Sequence, residues 1–397
     1  MNIVVVTDSL GESAGGLAHA TLNLAIATAN CLKNSSINIL AHQDQKEIDQ
    51  YFDLPTNLHL EKISTFRNSL FPYSFGLHQC LIDLQPDLVH LRGLWRQGSF
   101  ASLAWKNAHP GRPLIVQTAG MLEPWARQRN HLAKNIYFST FESKVLDAAD
   151  YIHATSTSEL QHLVGLGIPD SKIFVIEEGI QLPRLDQSDL RSARCTHPKK
   201  LLFVSRIHPK KGLELLIDAI ALLRPEGWIC QIAGMGDPGY VNRLRQRVDS
   251  HSLSETIYFV GPVINDDKDQ IFKNASAFIL PSFSESFGIA VAEAMSWGLP
   301  VVTTTETPWS VLQSKRLGWW VPPKIDEISF ALYELFSLPE SQLVLMGSQA
   351  RDYIYNAFQW PDIGSRMSSV YDLFSTPASS PSAEMVHFAA SHQLKSL

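Results

Sequence analysis

Short apolar runs rich in β-branched residues alternate with helical stretches along the whole chain. After an initial run, MNIVVVTD, the strand candidates of the first half are residues 37–40, 88–91, 113–118, 151–155 and 173–176, with helices predicted over residues such as 17–32 and 98–108. Those of the second half are residues 201–207, 228–234, 257–263, 277–282 and 300–305. Strands that alternate with helices predict parallel sheets covered on both faces. We therefore predict the α/β fold class, with two doubly wound, Rossmann-like domains facing a cleft.

The alternation breaks between Pro183 and Lys200, where the sequence is polar and has no clear apolar period. We predict an N-terminal domain over 1–182, a linker over 183–199 and a C-terminal domain over 200–357. The end of the chain, from residue 375 to 397, begins STPASSPSAEM. Its small, polar and proline-rich composition predicts a disordered tail.

Composition narrows the class of protein. Apolar residues make up 45% of the chain and charged residues 18%, as in soluble globular proteins. A net charge of -6 supplies no basic field, so no nucleic-acid partner is expected. The four cysteines are Cys31, Cys80, Cys195 and Cys230, and no two of them form a CxxC pair. Their spacing argues against a metal cage or a disulfide framework.

The first residues have no basic leader, which favours a first strand over a signal peptide. No apolar run approaches the roughly 18 residues of a membrane span. We therefore expect a cytoplasmic protein, and any contact with the inner face of the cell membrane would be peripheral.

Two carboxylates lie around a predicted helix in SFSESFGIAVAEAMSWGLPVV, residues 282–302. Glu285 follows the end of a strand, and Gly288 lies near the start of the helix, where the backbone admits a ligand closely. The free N–H groups and positive dipole of a helix N-terminus favour a phosphate there. Glu285 could then accept hydrogen bonds from a sugar attached beyond the phosphate.

Glu293 lies within the same helix, among apolar neighbours that leave it no polar face to join. A buried carboxylate needs partners, and the vicinal hydroxyls of a ribose would supply two donors. The alternative is a solvent-facing side chain. A phosphate, a ribose and a sugar together describe a nucleotide-sugar.

Arg206 and Lys211 flank the turn between the strand LLFVSRI and the next helix. Two cations at one strand end can neutralise a pyrophosphate, and this supports a leaving nucleoside diphosphate without a metal. The alternative is a solvated turn with surface cations.

The segment FVSRIHPKKG, followed by SFSESFGIAVAEAMSWGLPVV, resembles the retaining glycosyltransferases of family 4, which have the GT-B fold. The resemblance implies transfer of a sugar from a nucleotide-sugar without a metal or cofactor. It assigns Arg206 and Lys211 to the diphosphate, Glu293 to the ribose and Glu285 to the donor sugar. Glu285, Arg206 and Lys211 are the predicted catalytic residues.

The resemblance also extends to backbone contacts with the donor. The further donor-binding residues that it implies are Gly15, Gly16, Gly234, Gly236, Ser286, Phe287 and Gly288. FQWPDI, at 358–363, resembles the segment that closes the fold, so residues 358–374 are expected to cross back and pack on the N-terminal domain.

RGLWRQGS and TAGMLEPWARQRNHLAK resemble relatives that build bacterial surface polysaccharides, with the motifs HGLW and HGMLxPWA. This chain departs from those relatives at Arg92 and Ala119, and again at Glu177-Glu178, which replace a common Pro-Asn. The predicted acceptor-side residues are His90, Arg92, Trp95, Glu123 and Trp125, with a core histidine as the alternative for His90. A cationic segment (Trp125, Arg127, Arg129, His131 and Lys134) could meet an anionic lipid-linked acceptor or a membrane, or form a solvated helix face.

The predicted function is a retaining glycosyltransferase that takes a UDP- or GDP-type sugar and acts on a glycan or lipid-linked glycan in surface or extracellular polysaccharide synthesis. One alternative is an epimerase or hydrolase acting on the same donor. Another, motivated by Ala119, is a silent binding protein. A nicotinamide oxidoreductase is disfavoured because LGESAGG lacks the GxGxxG spacing.

Overall fold

A computed structural model describes residues 1–11, 16–42, 54–63, 75–94, 97–123, 125, 141–183, 197–375 and 381–391. The chain forms two compact units. Unit 1 contains Met1–Gly179 and Trp360–Leu397, and unit 2 contains Ile180–Gln359. Most of the predicted linker, residues 184–196, lies outside the described residues.

Unit 1 is built on a parallel sheet of seven strands in the order β3-β2-β1-β4-β5-β6-β7. The strands are β1 (Asn2–Ser9), β2 (Ser36–His42), β3 (Leu58–Ile63), β4 (Leu88–Arg92), β5 (Leu114–Gln117), β6 (Tyr151–Ala154) and β7 (Ile173–Val175). Every residue of the central strands β4 and β5 is buried. Both strands are buried because helices cover both faces of the sheet, and their polar side chains, His90, Arg92 and Gln117, are buried with them.

The helices of unit 1 come from both ends of the chain. They are α1 (Gly16–Cys31), α2 (Phe75–Leu84), α3 (Gln97–Ala108), α4 (Ser143–Ala148) and α5 (Thr157–Gly165), together with α13 (Trp360–Asp372) and α14 (Ala383–Ser391) near the C-terminus. Helix α13 packs closely on α1, since a Cβ atom added at Gly364 would lie 2.5 Å from the carbonyl carbon of Ala27. The crossing segment thus returns to the first unit, as the predicted fold class requires.

The prediction of a disordered tail over 375–397 is wrong for α14. Val386, Ala389 and Ala390 are buried in unit 1, and the Tyr151 hydroxyl donates to the carbonyl of Pro381 at 2.7 Å. These three small apolar residues follow the spacing of one helix face, a signal that the polar composition of the segment conceals.

Unit 2 has a parallel sheet of six strands in the order β10-β9-β8-β11-β12-β13. The strands are β8 (Lys199–Val204), β9 (Trp228–Ala233), β10 (Ile257–Gly261), β11 (Ala277–Leu280), β12 (Val301–Thr304) and β13 (Gly318–Val321). The helices are α6 (Leu213–Leu223), α7 (Pro238–Ser250), α8 (Asn265–Lys273), α9 (Ile289–Ser296), α10 (Val311–Ser314), α11 (Ile325–Ser337) and α12 (Glu340–Ala357). A 3₁₀ turn, Pro209–Lys211, precedes α6. Each unit therefore has the predicted doubly wound architecture.

The chain passes between the units at two adjacent points. Ile180 forms a parallel bridge with Gln359, and its N–H donates to the carbonyl of Phe358 at 2.7 Å. On the other side of the boundary, a Cβ atom added at Gly179 would lie 2.4 Å from the ring of Trp360. The two segments that connect the units, at residues 179–180 and 359–360, thus run side by side. Within the described ranges, no helix is both long and apolar enough to cross a bilayer.

A chain of hydrogen bonds joins two buried histidines of unit 1. The Tyr371 hydroxyl lies 2.7 Å from Nδ1 of His90, Nε2 of His90 lies 3.4 Å from Nδ1 of His153, and Nε2 of His153 lies 2.8 Å from the carbonyl of Ile176. Since that carbonyl only accepts, His153 donates from Nε2 and accepts from His90, which in turn accepts from Tyr371. The arrangement uses both rings in their neutral form.

Burial explains why both histidines stay neutral. Burial first, and then the unfavourable interaction that a protonated ring would have with His153 and Arg92, hold the pKa of His90 well below its usual range. Burial and Arg92 also lower the pKa of His153, to about 3, although its hydrogen bond to Ile176 opposes the change.

Arg92 and Glu178 form a buried ion pair at the end of β4. Nη2 of Arg92 lies 2.7 Å from Oε1 of Glu178, and the two side chains are 1% and 6% exposed. Nε2 of Gln117 donates to the same carboxylate oxygen at 3.0 Å. The pair ties the strand to the segment that leads out of unit 1.

We predict that Arg92→Met lowers the free energy of unfolding of unit 1 by about 3–5 kcal/mol, because it leaves Glu178 buried without a counter-charge. Urea unfolding, with hydrogen exchange in β4 as the readout of unit 1, measures this change. The double variant Arg92→Met/Glu178→Leu should recover most of the loss. As a matched control in unit 2, Arg247→Met removes the pair with Asp218, in which Arg247 is 41% exposed, and should cost less than about 1 kcal/mol, with hydrogen exchange in α7 as the readout of that unit. An equal loss in both single variants would contradict the prediction.

We predict that unit 1 loses stability as the pH falls from 6.5 to 5. The unfolded chain takes up protons at both histidines in this window, whereas the folded unit, with lowered pKa values at His90 and His153, does not. Each histidine contributes up to about 1.4 kcal/mol per pH unit. Urea unfolding across the window measures the slope, and His153→Leu should reduce it. A slope that is flat in the parent protein would refute this account.

Candidate active site

The loops that follow β8 and β11 lie against each other. The two strands are parallel neighbours, with Leu202 paired to Phe278, so their carboxyl ends meet at one edge of the sheet. The N–H of Phe283 donates to the carbonyl of Lys210 at 2.8 Å. Gly212 has φ +67°, and a Cβ atom there would lie 2.1 Å from the carbonyl oxygen of Pro281. Only glycine fits this contact.

The contact brings Lys211 to Glu285. Nζ of Lys211 lies 2.5 Å from Oε1 of Glu285, and each side chain is 12% exposed. The hydroxyl of Ser282 donates to the same oxygen at 2.7 Å. The N–H of Glu285 donates to the carbonyl of Glu306 at 2.9 Å, which fixes the loop against the end of β12.

The pair keeps Glu285 ionised. Burial alone would raise the pKa of this carboxyl, but the charges of Lys211 and Lys210 and the hydrogen bonds from Lys211 and Ser282 outweigh burial, so the pKa lies below its usual range. The site therefore presents a carboxylate, not a carboxylic acid, at neutral pH.

Helix α9 begins directly after this loop. Gly288 caps it with φ +81°, and a Cβ atom there would approach Nε1 of Trp309 to 3.2 Å. Trp309 donates from Nε1 to the carbonyl of Phe287 at 2.6 Å. The first turn of α9 contains no acidic residue, so the positive end of the helix stays available to an anion. Ser286, Phe287 and Gly288 all lie at this end.

Glu293 extends from α9, whose neighbours Val291, Ala292, Ala294 and Met295 are fully buried. Its side chain is 27% exposed and lies 2.5 Å from Nζ of Lys268, on α8. Lys268 was not predicted as a partner of Glu293. The available signal was its place just after the end of β10, on the same edge of the sheet as Arg206, Lys211 and Glu285.

Arg206 and the two glycines of IAGMG lie where β8 and β9 end. Cβ atoms at Gly234 and Gly236 would lie 1.8 Å from the carbonyl oxygen of Ser205 and 2.3 Å from that of Ile207. The glycines therefore let the two loops meet through their backbones. Arg206 is exposed. Among the described residues it pairs with neither Glu285 nor Glu293, so of the predicted catalytic residues only Lys211 and Glu285 are in direct contact.

The acceptor-side predictions for His90 and Arg92 are corrected. His90 is fully buried and uses both ring nitrogens inside the core, which is the alternative that the sequence left open. The guanidinium of Arg92 is buried in its ion pair with Glu178. Arg92 and Glu178, both departures from the motifs of the resembling polysaccharide enzymes, are therefore partners in one buried ion pair.

The remaining predicted residues divide into described and undescribed ones. Glu123 is buried, and its Oε2 lies 2.5 Å from Nδ1 of His162. Trp125 is half-buried, and Gly16 is the exposed first residue of α1. Gly15 and Trp95 lie outside the described residues, as do Arg127, Arg129, His131 and Lys134 of the cationic segment.

Ala119 lies in a turn held by a buried carboxylate. Its φ of +49° is unusual for a residue with a Cβ atom. Oε1 of Glu159 accepts from the Thr118 hydroxyl and from the N–H of Gly120, both at 2.6 Å. Oε2 accepts from the N–H of Thr155 at 2.8 Å. The turn is thus held without any polar group at position 119, and no local motif had pointed to Glu159 as the residue that holds it.

Two protein families match the sequence. The family described as "Glycosyl transferases group 1" matches residues 189–360. The family described as "Glycosyl transferase 4-like domain" matches residues 51–179. Together these matches cover well over half of the chain.

Curated relatives are glycosyltransferases. D-inositol 3-phosphate glycosyltransferase 2 of Catenulispora acidiphila is 31% identical over 236 residues, which cover 54% of this chain and 54% of that protein. WcaL of Salmonella typhimurium, named for glycosyl transfer in colanic acid biosynthesis, is 24% identical over 216 residues, covering 52% of this chain and 53% of that protein. The chain thus spans about half the length of the curated relatives it matches.

Solved structures establish the fold. Anabaena HepE, in complex with UDP and glucose, has a TM-score of 0.74 at 18% identity, covering 94% of this chain and 99% of that one. WaaG, a glycosyltransferase involved in lipopolysaccharide biosynthesis, has a TM-score of 0.67 at 14% identity, covering 93% of this chain and 99% of that one. The predicted fold class is confirmed.

Lys211, Glu285 and Glu293 all fall within the match over residues 189–360, and the match over 51–179 lies in unit 1. The resemblance inferred from the motifs is therefore confirmed by independent sequence families and by fold. The chain belongs to the glycosyltransferases of family 4, with the GT-B fold.

Proposed function

We propose that the chain transfers a sugar from a nucleotide-sugar to a glycan or lipid-linked glycan, with retention at the anomeric carbon and without a metal. The observation that carries the proposal is the ion pair of Lys211 with Glu285 beside the positive end of α9, to which no side chain of the capping residue is bonded. It combines a cation for a leaving phosphate with an ionised carboxylate for sugar hydroxyls in one place.

The leaving group of this reaction is a nucleoside diphosphate. Lys211, the exposed Arg206 and the first N–H groups of α9 are the groups that would stabilise its charge as the glycosidic bond breaks. A carboxylate that is held by Lys211 and Ser282 keeps its orientation. Glu285 would therefore accept hydrogen bonds from the donor sugar without rearrangement.

Glu293 and the glycine loop would hold the nucleoside. A carboxylate can accept from both vicinal hydroxyls of a ribose. Gly234 and Gly236 bring backbone groups to the edge of the sheet where side chains would otherwise stand. For the base, the complex of HepE with UDP favours a UDP-type donor, with a GDP-type donor as the other choice.

The acceptor follows from the relatives and from the loops of unit 1. The name of WcaL points to a growing polysaccharide, and the names of other relatives to inositol phosphate. Similarity of the 92–99 and 118–134 loops to polysaccharide enzymes favours the glycan. We place the reaction in the cytoplasm, with contact at the inner membrane face limited to the periphery.

Ala119 motivates a second candidate function, a protein that binds the donor without turnover. The methyl group at this position offers no hydrogen bond where the related enzymes have a histidine. An epimerase or hydrolase would instead consume the donor without an acceptor. Product analysis with and without acceptor separates all three.

The deciding experiment is a thermal-shift panel of UDP-, GDP-, ADP- and dTDP-sugars, followed by turnover with glycan acceptors and assignment of the product anomer by NMR. Stabilisation by one sugar nucleotide and a product of retained configuration support the proposal. No stabilisation by any of them, or inversion in the product, would overturn it.

We predict that Lys211→Ala lowers kcat by about 10²-fold or more, because one preorganised charge at the leaving phosphate is lost. Steady-state kinetics with the donor identified in the panel measure the change. Lys324→Ala removes an exposed lysine of the same unit and should leave kcat unaltered. Equal rates for Lys211→Ala and the parent would exclude Lys211 from catalysis.

We predict that Glu293→Ala weakens donor binding by about 10–100-fold, since hydrogen bonds to a charged group contribute about 1.5–3 kcal/mol. Isothermal titration with the nucleoside diphosphate measures this loss. Glu255→Ala, at an exposed position of unit 2, is the matched control. If both variants bind as the parent does, the ribose site is elsewhere.

A further inference from the structure

Lys268 is a cation that the assignment of the donor site leaves unused. It lies on α8, and its Nζ is 2.5 Å from Oε1 of Glu293 on α9; the two side chains are 33% and 27% exposed. The pair joins helices that follow β10 and β11, and strands β9 and β8 lie between these two in the sheet. It therefore spans the part of the edge where Gly234 and Arg206 stand.

The surroundings of Lys268 are acidic. Asp266, Asp267 and Asp269 lie on the same helix, and Glu293 faces it from α9. Burial raises the pKa of Asp269, Lys268 lowers it, and the charges of Asp266 and Glu293 raise it again. The ammonium group thus counters Asp269 as well as Glu293.

A single lysine on one carboxylate oxygen has a geometric consequence. A carboxylate offers about four lone-pair sites on its two oxygens. With the ammonium on Oε1, the carboxylate plane is held, and Oε2 keeps its acceptor capacity. A ribose presents its 2′- and 3′-hydroxyls as two donors at a fixed spacing, so an oriented acceptor binds them better than a rotating one.

We propose that Lys268 is a positioning residue that orients Glu293 toward the 2′,3′-diol of the donor ribose and makes the site selective for ribonucleotides over 2′-deoxyribonucleotides. The inference rests on the proposed function. It adds a residue that the motifs of the family did not indicate and assigns to it the choice of the sugar in the nucleotide. Lys268 contacts the carboxylate and acts through it.

The rival role for Lys268 is a general attraction for the diphosphate. The two roles differ in one measurable quantity, the ratio of affinities for UDP and 2′-deoxy-UDP. Loss of a positioning residue changes this ratio, because the 2′-deoxy ligand lacks the 2′-hydroxyl that donates a hydrogen bond to the oriented carboxylate. If Lys268 acts only as a distant charge, its removal weakens the binding of both ligands equally, since both carry the same diphosphate.

The test is calorimetric titration of the full chain with UDP and with 2′-deoxy-UDP, or with the guanine pair if the donor panel selects guanine. The parent should favour the ribonucleotide. Lys268→Met should lose about tenfold in affinity for UDP and little for 2′-deoxy-UDP, so that the ratio falls toward one. Lys268→Arg, which retains a cation, should restore part of the ratio. Lys324→Met is the control and should alter neither affinity.

A double variant, Lys268→Met/Glu293→Gln, adds a second reading. If the lysine acts through the carboxylate, the double variant binds UDP no more weakly than Glu293→Gln alone. An equal loss for both nucleotides in Lys268→Met, or additive losses in the double variant, would overturn the inference while leaving the proposed function intact. A parent protein that binds neither nucleotide would instead overturn the proposed function, and the inference with it.

Discussion

The arrangement of the candidate active site depends on one backbone contact, the approach of the loop after β8 to the loop after β11. Gly212 permits it, since a side chain there would overlap the carbonyl of Pro281, and the hydrogen bond from Phe283 to Lys210 closes it. This main-chain contact brings the two loops close enough for the side chains of Lys211 and Glu285 to pair. Their ion pair, the lowered pKa of Glu285 and the open end of α9 are consequences of it.

Unit 1 uses buried polar groups in a different way. The ion pair of Arg92 with Glu178 and the hydrogen-bonded series from Tyr371 to His153 attach the crossing helix α13 and the outgoing chain to the sheet. Arg92 and Glu178, both departures from the motifs of the resembling enzymes, are held by each other. A departure that looks like a lost functional group in the sequence becomes, in the fold, part of the frame.

The sequence was sufficient to predict the fold class and the meeting of Lys211 with Glu285. The carboxyl ends of parallel strands lie at one edge of the sheet whatever their side chains are. The sequence was insufficient for β3 and β13, which lie at the edges of their sheets and lack a long apolar run. The sequence also did not predict the contact of Lys268 with Glu293, the contacts of Glu159 with the turn at Ala119, or the pairing of Arg92 with Glu178. Contacts between distant segments leave no local sequence pattern. Helix α14 was missed because the small, polar and proline-rich residues before it were taken to represent the whole segment, although AEMVHFAAS itself is mostly apolar.

The side-by-side passage of the chain at Gly179–Ile180 and Gln359–Trp360 makes unit 2 an insertion within unit 1. A ribosome therefore completes Ile180–Gln359 before it releases α13, an interval of roughly ten to forty seconds at 5–20 residues per second. During that time the face of α1 around Ala27 and the ring of His90 await the helix that covers them. The nascent unit 1 therefore keeps this surface uncovered for the whole time in which unit 2 is synthesised, although it is the first to emerge.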